Sequence, residues 1–568
     1  MSLENGALGD AEVIALNVMW NRLISVCEEQ ANALLRVAFG AIVREAGDLS
    51  AGVFDAGGRM MAQAVTGTPG HVNTMARSVN AMLAHVPART LAEGDVLVTN
   101  DPWLGAGHVF DFVVVTPVFR GGRIVAYLAS TCHVVDVGGL GWSAEARSVF
   151  EEGVVIPVTR LRKAGVLNDE LLDIVATNSR VPREARGDII SLMACNDEGA
   201  RRLTDLMDEY AIAGLERLAG FIFERSRGAM LDAVAAVPEG VYENTIRLDG
   251  YDAPLTLRAR MTVGGGRIAA DLAGSDRALD KGVNCPLVYS QAYASFGIKA
   301  LVAPHVPNNH ASLALIEITA PPGLVVSAER PRPVTARHVV GQALPDLMLG
   351  CLARALPGRV LAESAGALWV LAISGEETAD GQPGFASINV ALGGMGARAG
   401  ADGLSTTAFP SGVGSVPVEI AETVAPLIYV AKEFAPDTGG AGRLRGGLGQ
   451  EIRLRAATDR PLTLSAAAFE RLREGAAGRE GGQSGSPGGA RISDGRVIDS
   501  KGLYTIPPGE ELILRTPGGG GFGPPEERAR DAVRRDLALG LIGRAAASDI
   551  YRCAGEPAQD PPTGKDNT

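Results

Sequence analysis

The stretch TNDPWLGAGHVFDF, residues 99–112, places the residue types of a metal site where an apolar run begins. His108 and Asp111 lie three positions apart in it, and a second histidine, His133, follows in the segment STCHVVD. Imidazole nitrogens and carboxylate oxygens that converge on one point suit a divalent cation such as Zn, Mn or Fe. The sequence therefore predicts a metal site, provided that the fold brings these three side chains together.

The two histidines flank two runs that are typical of a β-hairpin. FDFVVVTPVF and IVAYLASTCHV are separated by RGGR, which is a strong turn signal. With a three-residue loop at 121–123, Asp111 faces His133 on the same side of the sheet. The same count sets His108 opposite Asp136. A two-residue loop would shift the register by one and send Asp111 and His133 to opposite faces.

Strand geometry alone does not bring His108 beside Asp111. Side chains alternate between the two faces of a strand, so residues three apart point to opposite sides. Gly105 and Gly107 give the backbone the freedom to leave strand geometry at His108. The alternative is that His108 and Asp111 only cap turns and pair with each other. On spacing alone, both interpretations stay open.

The surrounding sequence predicts an α+β protein. Apolar residues recur every three or four positions from Asp10, a candidate N-cap, to Val43, which predicts one long N-terminal helix. Strand-like runs and one helix follow up to about residue 137, and helical segments extend to about residue 235. Alternating segments typical of antiparallel strands come next, with helices between them. The last third is Gly-rich and strand-like and ends in two helical segments.

These changes of pattern divide the 568 residues into a large multi-domain body of mixed helices and antiparallel sheets. We expect a metal-binding α+β catalytic region over 1–240, a mixed β/α region over 241–460, a Gly-rich β region with terminal helices over 461–555, and a disordered tail over 556–568. Glycine accounts for 72 residues, and its clusters are predicted to be tight turns between strands.

The composition disfavours several classes of function. The net charge is −12 and the pI about 5.3, so the chain lacks the basic surface that nucleic acid or an anionic membrane needs. We expect neither a signal peptide nor a membrane span, because no apolar run approaches roughly 18 residues. The six cysteines are scattered like reduced thiols, which predicts a cytoplasmic protein. No GxxxxGK[ST] motif for nucleotide phosphates is present.

Further motifs stand in order along the chain. They are REAGDLSAGVFDAGGRM, TPGHVNTM, TNDPWLGAGHVFDFVVVTPVF, CHVVDVGG, FEEGVVIPV, NSRVPREARGDI, PVEIAE, GAGRLRGGLGQEI and TPGGGGFGPPEER. By their order and spacing the chain resembles the hydantoinase B/oxoprolinase family, from about residue 12 to residue 553. That family comprises the B subunits of ATP-dependent hydantoinases and lactamases, the matching half of 5-oxoprolinase, and the α subunits of acetone-type carboxylases.

The resemblance implies a metal ion, either Mn or Zn, held by two carboxylates and two imidazoles. The matching positions in this chain are Asp48, His108, Asp111 and His133. Asp136 and His71 match neighbouring positions of the family, which makes them the candidates for catalytic proton transfer. Glu152 matches an acidic residue of the family, and its role stays unassigned.

The chain departs from the family in the loop before the strand. Where the family usually has NDPYxGGxHLPD, this chain has Trp103 for Tyr, Ala106 for Gly, and Val109–Phe110 for Leu-Pro. These changes leave the matched ligands in place, and we expect them to reshape the substrate pocket. Together with a chain shorter than acetone-carboxylase α subunits, they favour a lactam or hydantoin over a ketone.

The resemblance also accounts for the missing phosphate-binding motif. Family members of this kind work with a separate hydantoinase A-type subunit, which binds ATP and phosphorylates the substrate. We therefore expect the metal-dependent subunit of an ATP-dependent cyclic amide hydrolase, which opens a hydantoin, 5-oxoproline or another lactam ring. Two alternatives remain, an α-type subunit of an ATP-dependent ketone carboxylase and a non-catalytic scaffold subunit.

Overall fold

The structure is a computed structural model that describes residues 9–65, 68–375 and 384–553. It mixes helices with mainly antiparallel sheets, which confirms the predicted α+β class. The tail predicted over 556–568 lies outside the described residues. No helix within those ranges has the length and hydropathy that crossing a membrane requires. The helices are α1 (Asp10–Val37), α2 (Ala41–Arg44), α3 (Pro69–His85), α4 (Asp169–Asn178), α5 (Pro182–Glu209), α6 (Glu216–Ala235), α7 (Leu287–Val302), α8 (His310–Leu313), α9 (His338–Gly341), α10 (Leu344–Ala355), α11 (Val418–Val424) and α12 (Arg530–Ala538).

The described strands form four sheets. The first, in spatial order β2-β1-β5-β4-β3-β6-β7, contains β1 (Leu49–Asp55), β2 (Met60–Gln63), β3 (Val96–Thr99), β4 (Asp111–Arg120), β5 (Arg123–His133), β6 (Thr159–Lys163) and β7 (Val166–Leu167). The second, in order β11-β10-β9-β8, contains β8 (Gly240–Leu248), β9 (Leu255–Gly264), β10 (Arg267–Asp271) and β11 (Ile316–Thr319), with β10 and β11 parallel.

The other two sheets interleave along the chain. One has the order β13-β12-β16-β18 and the other the order β14-β15-β19-β17. Their strands are β12 (Leu368–Gly375), β13 (Phe385–Leu392), β14 (Leu427–Phe434), β15 (Gln450–Ala456), β16 (Leu462–Ser465), β17 (Gly489–Ile492), β18 (Leu503–Ile506) and β19 (Glu511–Arg515). β12 pairs with β16 and β15 pairs with β19, so strand pairs join residues on both sides of position 460. The division into regions stays a prediction.

The two faces of the first sheet carry different helices. Phe112 and Val114 of β4 belong to the apolar cluster that includes residues of α1 and α5. Val113 and Val115 belong to a separate cluster with residues of α3. Since side chains alternate along a strand, Asp111 shares the face of Val113 and points towards α3. This alternation decides which helix can complete a site at the start of β4.

The hairpin pairs Asp111 with His133, as predicted, but its loop is shorter than predicted. Arg120 pairs with Arg123, so the loop contains only residues 121–122. Both loop glycines have positive φ, 59° and 75°, which is the backbone that two-residue hairpin turns require. The prediction of a three-residue loop was therefore wrong, although the pairing that rested on it is confirmed.

A β-bulge restores the register that the short loop would have shifted. Val118 pairs with Ala126 whereas the next residue, Phe119, pairs with Ile124. One extra residue, Val125, is thus inserted in β5. The insertion moves every later pair by one position, so the carboxylate and the imidazole at the open end share a face.

The predicted N-terminal helix is interrupted. The Asp188 carboxylate of α5 accepts hydrogen bonds from the backbone N–H groups of Phe39, at 2.7 Å, and Gly40, at 3.1 Å. These amides bond to a side chain instead of continuing the helix, so α1 ends and α2 begins beyond them. Gly9 occupies the N-cap position of α1, and Asp10 is its first residue.

The prediction that the glycine clusters of the last third form tight turns was wrong. Extended segments cross there with their backbones in contact, and the N–H of Gly447 donates to Met395 O at 2.8 Å. The N–H of Gly519 donates in turn to Gly447 O at 3.0 Å. A Cβ on Gly447 would overlap Leu404 O, and neither glycine has positive φ. Glycine is needed there for close backbone approach rather than for turn geometry.

Candidate metal centre

Three of the predicted ligands form one row across adjacent strands. Asp111 of β4 pairs with His133 of β5, and the His133 N–H donates to the backbone carbonyl of Asp48 at 3.2 Å. Leu49 pairs with Cys132, so Asp48 lies directly beside His133 at the start of β1. Side chains of one row on neighbouring strands lie about 5 Å apart. The row Asp48, His133 and Asp111 is therefore a consequence of strand register.

A loop that precedes β4 delivers His108 to the end of this row. The buried Asn100 amide donates to Val109 O at 2.7 Å, which ties the two ends of the loop together. Gly107 has φ +91°, a left-handed conformation that turns the chain away from strand geometry. His108 and Asp136 both lie outside the paired strands, so the predicted cross-strand contact between them is wrong.

The Asp111 carboxylate is the centre of the cluster. Its Oδ1 lies 2.8 Å from His108 Nε2 and 3.1 Å from His133 Nδ1. Its Oδ2 lies 3.0 Å from Nε2 of His71, which projects from α3. The other ring nitrogen of His71, Nδ1, lies 3.3 Å from Asp48 Oδ1. His71 thus bridges the two carboxylates, and the structure brings together all five side chains.

The contact between His108 and Asp111 fits a bound cation. His108 Nδ1 lies 3.0 Å from the Thr335 carbonyl oxygen, which can only accept, so Nδ1 carries the proton. Burial and the nearby Arg337 lower the pKa of His108 to about 3, so the ring is neutral and Nε2 offers a lone pair. This lone pair faces a carboxylate oxygen at 2.8 Å without a hydrogen bond. A divalent cation bound by both atoms would satisfy both.

Other polar atoms of the cluster make no hydrogen bond. His133 Nε2 is buried without a partner, and His71 Nδ1 and Asp48 Oδ1 lie 3.3 Å apart without forming a hydrogen bond. Buried polar atoms without hydrogen bonds cost free energy, so their concentration in one place fits a bound cation. Among the residues described, His108, Asp111 and His133 each offer a ligand atom within 4.8 Å of the others. The nitrogen and oxygen donors suit Zn, Mn or Fe.

Arg337 was not found from the sequence, and it balances the charge of the centre. Its Nη2 donates to Asp111 Oδ2 at 2.5 Å and its Nε donates to Ala106 O at 2.8 Å. The guanidinium lies over the Tyr289 ring, 4.3 Å from the centroid. Burial opposes ionisation of Asp111, but the positive charges of His71 and Arg337 hold the pKa of this carboxyl well below its usual range. The carboxylate therefore stays ionised.

Tyr289 was also missed, and three glycines make room for its side chain. A Cβ on Gly107 would lie 3.0 Å from the Tyr289 Cβ, and a Cβ on Gly341 would lie 2.5 Å from its ring. A Cβ on Gly70 would overlap the ring as well. Tyr289 and Tyr293 are four residues apart and share one face of α7, where their hydroxyls lie 3.2 Å apart. That spacing was the one signal in the sequence.

Aromatic side chains enclose the two imidazoles. The Trp142 ring centroid lies 5.3 Å from those of His108 and His133. Phe110 stacks on His133 with ring centroids 5.6 Å apart. Phe110, where the family usually has proline, therefore contacts the candidate ligands directly. Trp103 donates from Nε1 to a backbone carbonyl and lines neither of the two cavities described below.

Asp136 lies in a different network. Its Oδ1 accepts a hydrogen bond from Arg180 Nη1 at 2.7 Å, and its Oδ2 accepts one from the Arg180 backbone N–H at 2.5 Å. Both residues line a cavity of about 690 Å³, which we call the polar cavity. Trp142 lines this cavity and also the small pocket at the cluster, so it separates the two spaces. The structure does not bring Asp136 into contact with the cluster.

Glu152 supports the loop behind His108. Its Oε1 accepts hydrogen bonds from the backbone N–H groups of Val334, at 2.6 Å, and Thr335, at 2.7 Å. Thr335 is the residue whose carbonyl holds the His108 ring. Burial raises the pKa of Glu152 to about 7. Its position indicates that Glu152 orients a candidate ligand through the backbone of another segment.

Known proteins share the sequence pattern and the fold. The family model described as hydantoinase B/oxoprolinase matches residues 12–525. The putative B subunit of a D-/L-hydantoinase from Pseudomonas sp. (strain NS671) is 26% identical over 578 residues, which cover 97% of this chain and 96% of that protein.

Two solved structures have the same fold. ATP-dependent caprolactamase from Pseudomonas jessenii matches with a TM-score of 0.87 at 23% identity, over 96% of both chains. Acetone carboxylase in a nucleotide-free structure matches with a TM-score of 0.84 at 20% identity, over 95% of this chain and 79% of that one. The TM-scores establish a common fold, and at these identities the likeness shows the fold alone.

Proposed function

The chain belongs to the hydantoinase B/oxoprolinase family, and we propose that it is the metal-dependent subunit of an ATP-dependent cyclic amide hydrolase. One observation carries the proposal. The neutral His108 ring presents an unprotonated Nε2 to the ionised Asp111 carboxylate at 2.8 Å, inside a buried cluster. A cation held by both residues would give this contact between two acceptors a physical reason.

We propose Mn or Zn as the cation. The side chains that would hold it are Asp48, His108, Asp111 and His133, and these are nitrogen and oxygen donors that both metals accept. Such a cation supplies positive charge that lowers the pKa of water and stabilises negative charge on a carbonyl oxygen. Arg337 keeps Asp111 in place, and the rings of Trp142 and Phe110 keep bulk water away from the imidazoles.

We assign the proton transfer to His71. Burial alone lowers the pKa of His71, but the charges of Asp111 and Asp48 outweigh it and raise the pKa above its ordinary value. The ring therefore holds a proton between two carboxylates at the edge of the cluster. That proton is available to the ring nitrogen of the substrate when the C–N bond breaks. Asp136 is the weaker candidate, because both its oxygens already accept hydrogen bonds from Arg180.

The ATP chemistry is assigned to a partner. The chain has no GxxxxGK[ST] motif, and its Pseudomonas relative is itself named as one component of a hydantoinase. The caprolactamase with the same fold is described as ATP-dependent. We propose that ATP is bound by a hydantoinase A-type subunit, which phosphorylates the small cyclic amide before it reaches the cluster of this chain.

The test is co-purification with an A-type subunit, followed by measurement of ATP turnover with 5-oxoproline, hydantoins and caprolactam. We expect ATP turnover that requires both subunits, the metal and one class of cyclic amide, with one ring opened per ATP consumed. Turnover by this chain without the partner would contradict the division of labour. ATP turnover without ring opening would contradict hydrolysis.

A second candidate function is that of an α-type subunit of an ATP-dependent ketone carboxylase. The observation in its favour is the fold shared with acetone carboxylase, at a TM-score of 0.84. The same preparation distinguishes the two reactions. Carboxylation predicts that ATP turnover with a ketone depends on bicarbonate, whereas ring opening predicts turnover that is indifferent to bicarbonate.

A further inference from the structure

A second cavity, lined mainly by apolar side chains, adjoins the candidate metal centre. It has a volume of about 540 Å³ and lies between α1, α3, α7 and the segment 410–412. Trp20 and Ile24 line it from α1, Val72 from α3 and Phe296 from α7. We call this space the apolar cavity. The catalytic roles proposed above leave it unexplained.

The apolar cavity is separated from the cluster by two hydroxyl groups. Thr68 and Ser411 line both this cavity and the small pocket of about 40 Å³ at the cluster. Thr68 is the N-cap residue of α3, three positions before His71. Ser411 Oγ lies 2.8 Å from the Tyr293 hydroxyl and accepts a hydrogen bond from Gln342 Nε2 at 2.7 Å. A substrate held at the cluster would therefore have one side next to this cavity.

Several polar groups of the apolar cavity are already paired. Asn308 donates to Gln63 Oε1 at 3.0 Å and to Asn73 Oδ1 at 2.7 Å. Among the described residues that line the cavity, Lys299 is the one that carries a charge. Its Nζ donates to the Val306 carbonyl at 2.6 Å, and burial lowers the pKa of Lys299 to about 8. The described lining thus offers no arginine that would bind a carboxylate through two hydrogen bonds.

The volume of the cavity indicates the size of its occupant. Cavities of roughly 300–1,000 Å³ bury drug-sized ligands, and a small unsubstituted ring would fill only part of this one. We propose that the apolar cavity receives a bulky, uncharged apolar substituent, aryl or branched alkyl, of the cyclic amide. The inference rests on the proposed function and narrows its substrate class. It disfavours 5-oxoproline, whose carboxylate would enter a lining that is mainly apolar.

The inference is tested by ligand binding to the full metal-loaded chain. The probes are 5-benzylhydantoin and 5-oxoproline, with affinities measured by calorimetry. Ala300 is exposed and lines the mouth of the cavity, so Ala300→Trp should weaken benzylhydantoin binding by about tenfold or more. The matched control is Ala11→Trp, at an exposed position of α1 that does not line the cavity, and it should bind like the wild type.

A further variant strengthens the test. Phe296→Ala removes an aromatic wall without adding bulk and should also weaken benzylhydantoin binding, which keeps the test valid if Ala300→Trp misfolds. Equal or tighter binding of 5-oxoproline, unchanged binding in both cavity variants, or no binding of either probe would each overturn the inference.

The outcome separates this inference from the proposed function. Benzylhydantoin that binds in the cavity but is not opened by the complex with the partner would uphold the inference and contradict the hydrolase proposal. Benzylhydantoin that is opened with equal kcat/KM by wild type and both cavity variants would uphold the hydrolase and overturn the cavity assignment.

Discussion

Replacement of His108 by alanine isolates the observation on which the metal centre depends. The substitution removes the Nε2 atom that faces Asp111 Oδ1 at 2.8 Å, while the row of Asp48, His133 and Asp111 stays in register. In the metal-free protein it also removes a contact between two acceptors. The effect of the substitution should therefore depend on whether metal is bound. His85→Ala is the matched control, because His85 is exposed at the end of α3.

The size of the effect follows from linkage between binding and folding. At a free metal concentration about 100 times Kd, binding stabilises the wild type by about 2.7 kcal/mol. Loss of a residue that only orients a ligand costs about 10–100-fold in affinity, so loss of a ligand should cost at least about 100-fold. At the same metal concentration the variant would then gain only about 0.4 kcal/mol.

The assay compares each variant with metal and without it, so the stability lost through poorer packing beside Phe110 and Trp142 cancels. Metal affinity is measured by competition with a fluorescent chelator for Mn and for Zn. The unfolding midpoint is measured with metal and with excess chelator. We expect His85→Ala to keep the full metal-dependent rise in midpoint and His108→Ala to lose most of it.

Two results would refute the reasoning. One is that the wild type binds no divalent metal in a fixed ratio. The other is that His108→Ala binds it as tightly as His85→Ala does. His133→Ala gives an independent check, since it removes the member of the row between Asp48 and Asp111 and should behave like His108→Ala.

Three further variants test the structure outside the ligand set. Burial raises the pKa of Asp346 to about 7, so the wild type loses stability as pH rises from about 4 to 7. Above pH 7, Asp346→Asn should therefore be more stable than the wild type, by up to about 4 kcal/mol in denaturant titrations. Burial lowers the pKa of His338 to about 3, so the wild type loses stability as pH falls below 6.5. Between pH 6.5 and 5, the free energy of unfolding of His338→Gln should fall by about 2 kcal/mol less than that of the wild type. Gly447→Ala should lower the unfolding midpoint, because the added Cβ would overlap backbone atoms. Gly489→Ala is the control and should not lower it, because the space at its Cβ is open. Equal midpoints of the two variants would contradict the close packing of the glycine segments.

Local sequence patterns were sufficient for the elements that carry the ligands. Alternation along β4 and β5 and the turn between them predicted that Asp111 would face His133, and the pairing is confirmed. The loop length was predicted wrongly because a short loop with a bulge and a longer loop without one give the same register beyond residue 118. Sequence periodicity reports which residues share a face, and it does not report where one extra residue is inserted.

The family resemblance added what local patterns could not, the assignment of Asp48 and His71. The structure places Asp48 beside His133 across β1 and β5, and His71 between Asp48 and Asp111. Neither contact follows from spacing, because the contacts depend on how β1 pairs and on which face of the sheet α3 covers. Their roles as ligand and proton carrier stay predictions.

The sequence by itself determined the hairpin, most of the helices and the donor types of the centre, because these depend on residues close together in the chain. Tertiary structure alone decided the charge balance and the space around the centre. Arg337 reaches Asp111 from 226 residues away, and Tyr289 fits against three glycines from separate segments. The apolar cavity exists only where α1, α3 and α7 meet. Such features arise from packing between distant segments, which no local period or turn signal records.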